Sequence, residues 1–209
     1  MKMKYLRNKL YIGTDELFND LHLEFSKYGN AFIHGPAGSG KTFLMTSIFR
    51  RLRNIDVNNK YNIALWSFKP WEFDWCREYL YEDAKAFMNY LERIVDDENH
   101  QSIIFIDELK VFLDLISPEE IRELKDMMKR KNTNFICCSQ HMYQLIDEFK
   151  EYADTRICMN TFGNKEESAM MMGVEDASKL LGHMHMIVSN KYLDDQPIKL
   201  VVSLWLMNK

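Results

Sequence analysis

Residues 35–42 read Gly35-Pro36-Ala37-Gly38-Ser39-Gly40-Lys41-Thr42, the G-x-x-x-x-G-K-[ST] spacing of a loop that wraps phosphate. Glycines let backbone N–H groups turn inward toward phosphate oxygens, and a helix N-terminus behind the loop adds partial positive charge. In that chemistry the Lys41 ammonium reaches the β- and γ-phosphates of a nucleoside triphosphate such as ATP. The Thr42 hydroxyl holds Mg²⁺. A second group closes the apolar run Ser102-Ile103-Ile104-Phe105-Ile106, which ends in Asp107-Glu108. Asp107 suits the Mg²⁺ shell, directly or through a water. Glu108 suits a different task, orienting or polarising a water for attack on phosphorus. Its plainer reading is an acidic side chain at a helix N-terminus. A third apolar run, Asn134-Phe135-Ile136-Cys137-Cys138-Ser139, ends at Gln140. Gln140 could bond the γ-phosphate or the attacking water, or serve as a turn residue; Ser139 is the weaker candidate.

These side chains act together only if the chain sets them side by side. Apolar residues 31–33 precede the loop as a strand, and residues 43–49 follow it with amphipathic helical character. Strands are expected at 31–34, 62–66, 102–106, 134–139, 156–160, 184–188 and 199–206. Helices are expected at 15–28, 41–54, 71–95, 118–131, 142–152 and 175–181. Such alternation predicts an α/β fold whose mostly parallel sheet carries helices on both faces, with ligands at the carboxyl ends of the strands. The last strand reads as an antiparallel C-terminal edge. No repeat and no Pro/Gly/Ser-rich linker divides the sequence, so one domain is expected over 1–209. It comprises a helical N-terminal extension at 1–29, a core at 30–190 and the edge strand at 191–209.

Composition narrows the setting. With 209 residues, 46% of them hydrophobic, the chain can bury a full core without disulfides. Cys76, Cys137, Cys138 and Cys158 lack C-x-x-C spacing and read as core thiols of a reducing cytoplasm. No apolar stretch is long enough to span a bilayer, and Met1–Arg7 has no signal-peptide core, so a cytoplasmic protein without membrane partners is expected. The net charge of −4 argues against a surface basic all over, but not against a local patch. The densest clusters are Lys129-Arg130-Lys131 and Arg50-Arg51-Leu52-Arg53, and the second reads as a solvated helix end.

Beyond the nucleotide motifs, the order of segments resembles the FtsK–HerA superfamily of DNA-pumping ATPases. Asp107-Glu108-Leu109 and then Phe135–Gln140 look like its core strands, and Asp154-Thr155-Arg156-Ile157 resembles a "P-T-R-I" strand start. Ala177-Ser178-Lys179-Leu180-Leu181-Gly182-His183-Met184-His185-Met186 resembles "A-E-K-L-L-G-x-G-D-M", and Lys69 falls near the lysine of "D-P-K". The resemblance runs from about residue 30 to residue 190. It departs at Ala169, where such motors carry Arg after the residue aligned with Ser168, and at Met184-His185 in place of Gly-Asp. No winged-helix DNA reader is recognised in the sequence.

The resemblance implies a RecA-like, ASCE-type P-loop NTPase using ATP and Mg²⁺ in a homo-oligomeric ring, pentamer or hexamer. A chain of this size is similar to the small genome-packaging ATPases of viruses and phages. The implied partners are sequence-independent double-stranded DNA and a portal or procapsid, in the host cytoplasm if viral. It also implies an arginine finger donated to the neighbouring subunit, with Arg130 first and Arg156 second; either arginine alone could equally be structural. Lys69, Lys110 and Lys129 are candidates for DNA phosphate contacts. Trp71 and Trp75 could pack on sugars or a neighbour, or form aromatic core. His183 and His185 read as structural rather than metal-binding, and Met170-Met171-Met172 as packing of a helix or loop. Two rivals share the nucleotide site: a DNA-transfer ATPase of a mobile element, and an assembly or loader ATPase that pumps nothing.

Overall fold

The computed structural model describes residues 9–15, 20–24, 29–56, 61–97, 99–181, 185–190 and 198–201. Its centre is β3 (Ala31–His34), buried at every position and paired in parallel with β7 (Thr133–Ser139) on one side and β8 (Thr155–Met159) on the other. Next to β7 runs β6 (Gln101–Ile106), then β4 (Tyr61–Trp66) and the short β5 (Leu80–Tyr81), all parallel. Beyond β8 the sheet turns antiparallel through β9 (His185–Asn190), β10 (Ile198–Val201), β1 (Lys9–Asp15) and β2 (Asp20–Glu24). Among the described residues this is a 10-stranded sheet, ordered β2-β1-β10-β9-β8-β3-β7-β6-β4-β5.

The period of two within each central strand builds two cores. Ile103 and Phe105 of β6, with Ile136 and Cys138 of β7, face α1 (Lys41–Ile55) through Leu44, Met45, Ile48 and Phe49. Ile104 and Ile106, with Phe135 and Cys137, face the other side. There they meet α2 (Ala84–Ile94), α3 (Leu109–Leu115), α4 (Pro118–Met128), α5 (Met142–Phe149) and α6 (Lys165–Met172). Each large apolar side chain buried this way contributes about 1.5–3 kcal/mol. The four cysteines are free and buried in these cores.

Four expectations are corrected. Residues 15–28 are not one helix: Asp15 ends β1 and Asp20–Glu24 is β2. Leu21 and Leu23 alternate with Asp20, His22 and Glu24, a strand period that a helical reading overlooked. Residues 71–95 are not one helix either. A 3₁₀ helix (Pro70–Tyr79) containing non-helical Phe73 and Cys76 leads into β5, and Asp83 then caps α2 by accepting from Ala86 N at 2.6 Å. The C-terminal strand is antiparallel as expected but is not at the edge, because β1 pairs along its other side and β2 beyond it. Over 175–181 only Asp176–Lys179 is helical, as one 3₁₀ turn. Residues 202–206, His183 and Met184 lie outside the described residues.

One cluster fixes the segment after β4 against α1. Phe49 meets Trp75, Tyr79 and Phe105 with ring centroids 5.3, 5.5 and 5.0 Å apart. Arg50 lies over Trp75 and Arg53 over Tyr79, at 4.6 and 5.1 Å, and Arg53 pairs with Glu78 at 2.8 Å.

Candidate functional site

β3 delivers the chain into the phosphate loop, and Gly38 and Gly40 take the positive φ values of 77° and 101° that the turn into α1 requires. Gly35 is fixed for another reason. A Cβ there would stand 2.5 Å from Ser39 Oγ and 2.8 Å from Met159 Cβ, so only glycine lets the loop lie against β8. The first turn of α1 carries no acidic residue and no side-chain cap, which leaves its positive pole for an anion. Lys41 is buried and donates to Pro36 O at 3.1 Å. Burial pulls its ammonium below the usual lysine range, and Glu108, with Oε1 4.0 Å from Nζ, opposes that pull.

The strand order sets the acidic residues beside this loop. Asp107 follows β6, is buried, and accepts from Ser67 Oγ at 3.0 Å; Ser67 Oγ in turn accepts from Lys69 N at 3.0 Å. Burial, with Glu108 adding to it, pushes the Asp107 carboxyl up to about 6. The buried Asp107 carboxylate and the Thr42 hydroxyl at the cavity wall are both oxygen donors, which fits a hard cation such as Mg²⁺.

Glu108 stands at the N-cap of α3 with left-handed φ 62° and ψ 67°, yet its side chain makes no capping hydrogen bond. Instead Oε2 crosses to β7, accepting from Gln140 N at 3.0 Å and Ser139 Oγ at 3.3 Å. Positive φ in a non-glycine residue costs roughly 1–2 kcal/mol, a form of strain that concentrates at functional sites. Gln140 is the residue that turns the chain out of β7, and it lines the same space.

That space is a cavity of ≈ 250 Å³ walled by the phosphate loop together with Lys69, Glu72, Glu108 and Gln140. Sequence reasoning brought Lys41, Thr42, Glu108 and Gln140 here, but it missed Ser67 and Glu72 and gave Lys69 to DNA. Their signal was position: all three follow the carboxyl end of a parallel strand.

The remaining candidates lie elsewhere. Arg130 is exposed, 3.9 Å from Asp96, in the turn before β7 and so at the opposite sheet end from the phosphate loop. Arg156 is half-buried on β8 and donates from Nη1 to Met171 O at 3.2 Å, near the end of α6. Lys110 pairs with Asp114, and Lys129 lies over Tyr152 at 5.2 Å. Trp71 is 67% exposed, whereas Trp75 packs on Phe49. Ser168 Oγ joins Val174 O and Ala177 N, and Met171 and Met172 pack α6 into the core. No helix among the described residues is long and apolar enough to cross a membrane.

A profile of the ATPase family associated with various cellular activities (AAA) matches residues 31–161. No curated protein sequence matches the chain. Among solved structures, it is similar to the cytoplasmic domain of the Thermomonospora curvata type VII secretion ATPase EccC. The TM-score is 0.71 at 16% identity, over 94% of this chain and 28% of that one. It is similar to the pCW3 conjugation coupling protein TcpA with ATPγS, at TM-score 0.73 and 16% identity, over 96% of this chain and 68% of that one. It is also similar to the genome packaging NTPase B204 of Sulfolobus turreted icosahedral virus 2 with AMPPCP. There the TM-score is 0.62 at 17% identity, over 84% of this chain and 98% of that one. The chain thus spans well under a third of EccC. At these identities the likeness is one of fold, a RecA-like α/β fold in agreement with the FtsK–HerA resemblance. Two of these structures hold nucleotide analogues, ATPγS in TcpA and AMPPCP in B204.

Proposed function

We propose a function from one premise: the chain belongs to the ATPase family associated with various cellular activities. It hydrolyses ATP to move double-stranded DNA, as the subunit of a ring that packages a viral genome. The observation that carries this reading is the convergence of Lys41 after β3, Glu108 after β6 and Gln140 after β7 around one cavity, with buried Asp107 next to Glu108 in the chain. The phosphate loop and Lys41 in the cavity wall suit the phosphate chain of the nucleotide.

In that cavity Lys41 binds the β- and γ-phosphates, and Glu108 holds a water in line with the γ-phosphorus. The water oxygen bonds phosphorus, the β–γ bridging P–O bond breaks, and the water proton passes to Glu108 and on to solvent. Gln140 sits where it can bond the γ-phosphate or that water. Mg²⁺, held by Thr42 and Asp107 directly or through water, would neutralise charge on the β- and γ-oxygens. Because Gln140 N and Ser139 Oγ share the Glu108 carboxylate, loss of the γ-phosphate is felt along β7. An arginine of the neighbouring subunit, Arg130 before Arg156, completes the site. The exposure of Arg130 favours it, and the bond from Arg156 to α6 favours a structural task for that side chain.

Packaging is supported by the likeness to B204, nearly all of which has its counterpart here. The likeness to TcpA supports a second reading, transfer of DNA between cells. The test is displacement of a triplex-forming strand from linear double-stranded DNA. ATP-driven displacement that Glu108→Gln abolishes supports the motor; hydrolysis without displacement supports a loader. Binding to a portal or procapsid then separates packaging from transfer.

A further inference from the structure

Lys69 and Glu72 share the cavity with the phosphate loop, and the Lys69 charge is felt at Lys41. β4, which leads to them, lies against β6, so this wall stands beside Asp107 and Glu108, where the terminal phosphate belongs. The wall is held in place from beneath, because Lys69 N donates to the same Ser67 Oγ that donates to Asp107. The Lys69 ammonium itself is loosely held. It sits 3.9 Å from a Glu72 carboxylate oxygen and 5.0 Å from the centre of the Phe68 ring, with about a third of each charged side chain exposed. An ion pair at that distance and exposure is weak. A terminal phosphate offers the ammonium more charge and shorter, charge-assisted hydrogen bonds than Glu72 does.

Given the ATPase reading, we propose that Lys69 is a second phosphate-binding cation whose choice between Glu72 and the γ-phosphate lets the site distinguish ATP from ADP. With ATP, the ammonium moves from Glu72 onto γ-phosphate oxygens, and the Ser67 bridge ties that move to Asp107. With ADP, which has no γ-phosphate to draw it away, the ammonium stays on Glu72. Glu72 therefore competes with the nucleotide, and removing it strengthens ATP binding.

The test measures Mg-ATP and Mg-ADP affinities by calorimetry in the Glu108→Gln chain, which holds ATP unhydrolysed. Adding Lys69→Met weakens ATP about 10-fold or more and leaves ADP within about 3-fold, as loss of one charge-assisted bond to the γ-phosphate requires. Adding Glu72→Gln instead tightens ATP and leaves ADP unchanged. Equal weakening of both nucleotides by Lys69→Met, or no weakening, overturns the proposal. So does a Glu72→Gln chain that binds ATP no more tightly. A Glu108→Gln parent that binds neither nucleotide overturns the ATPase reading itself, and the proposal with it.

Discussion

Replacing Glu108 separates what its carboxylate does for the fold from what it does for chemistry. The residue is 5% exposed, and Oε2 takes hydrogen bonds from Gln140 N and Ser139 Oγ. Glutamine keeps an acceptor oxygen there and keeps the shape, so Glu108→Gln should melt within a degree or two of the parent. Alanine leaves both donors unsatisfied in a buried place, which costs about 1–3 kcal/mol. At roughly 2–4 °C per kcal/mol for a chain of this length, Glu108→Ala should melt about 2–12 °C lower. Glycine loses the same bonds but relieves the left-handed backbone at φ 62°, so its Tm should fall between the two. Turnover should order differently: all three variants should lose about 10²–10⁴-fold, because none has a base to take the proton from water. Thermal melts and phosphate release on the same preparations give both orders. A glutamine variant that melts with alanine, or hydrolyses ATP like the parent, would refute the assignment.

Gly35→Ala should cost about 1–3 kcal/mol and weaken nucleotide binding, because its Cβ would sit 2.5 Å from Ser39 Oγ and 2.8 Å from Met159 Cβ. An unchanged Tm and unchanged affinity for a fluorescent ATP analogue would show that the loop does not rest on β8. His34, fully buried with Nε2 3.2 Å from Glu167, is driven by burial from 6.5 down to about 4. The unfolded chain therefore binds the extra proton first, so stability is full above pH 6.5 and falls on acidification through the window down to about 4. The slope from this group is about 1.4 kcal/mol per pH unit, and urea titrations should find it reduced in His34→Asn. Arg130→Ala should lower turnover of the assembled protein about 10³-fold or more while nucleotide binding survives; full activity removes Arg130 as the finger.

What the sequence made legible was what is local along the chain. The phosphate loop is covalently continuous with its strand and helix, so its spacing carried its structure. The runs ending at Asp107 and Gln140 were legible because strands buried on both faces read as unbroken apolar runs. The bond from Glu108 to Gln140 N was not legible, because it joins strands 32 positions apart and depends on β6 and β7 being neighbours. The β1–β2 hairpin was missed because short amphipathic segments satisfy helix and strand periods alike. The break at Phe73 and Cys76 was hidden by an aromatic-rich stretch whose packing on Phe49, rather than helix propensity, decides its path. Lys69 and Glu72 line the cavity just before that break, at the start of the 3₁₀ segment.

The most direct measurement is steady-state ATP turnover at low salt, with and without double-stranded DNA, using Lys41→Ala as the blank. A DNA-coupled motor predicts turnover that rises markedly with DNA, vanishes in the variant, and loses its stimulation steeply as salt is added. Turnover indifferent to DNA, at protein concentrations high enough for assembly, would contradict it and leave an ATPase that acts on some other partner.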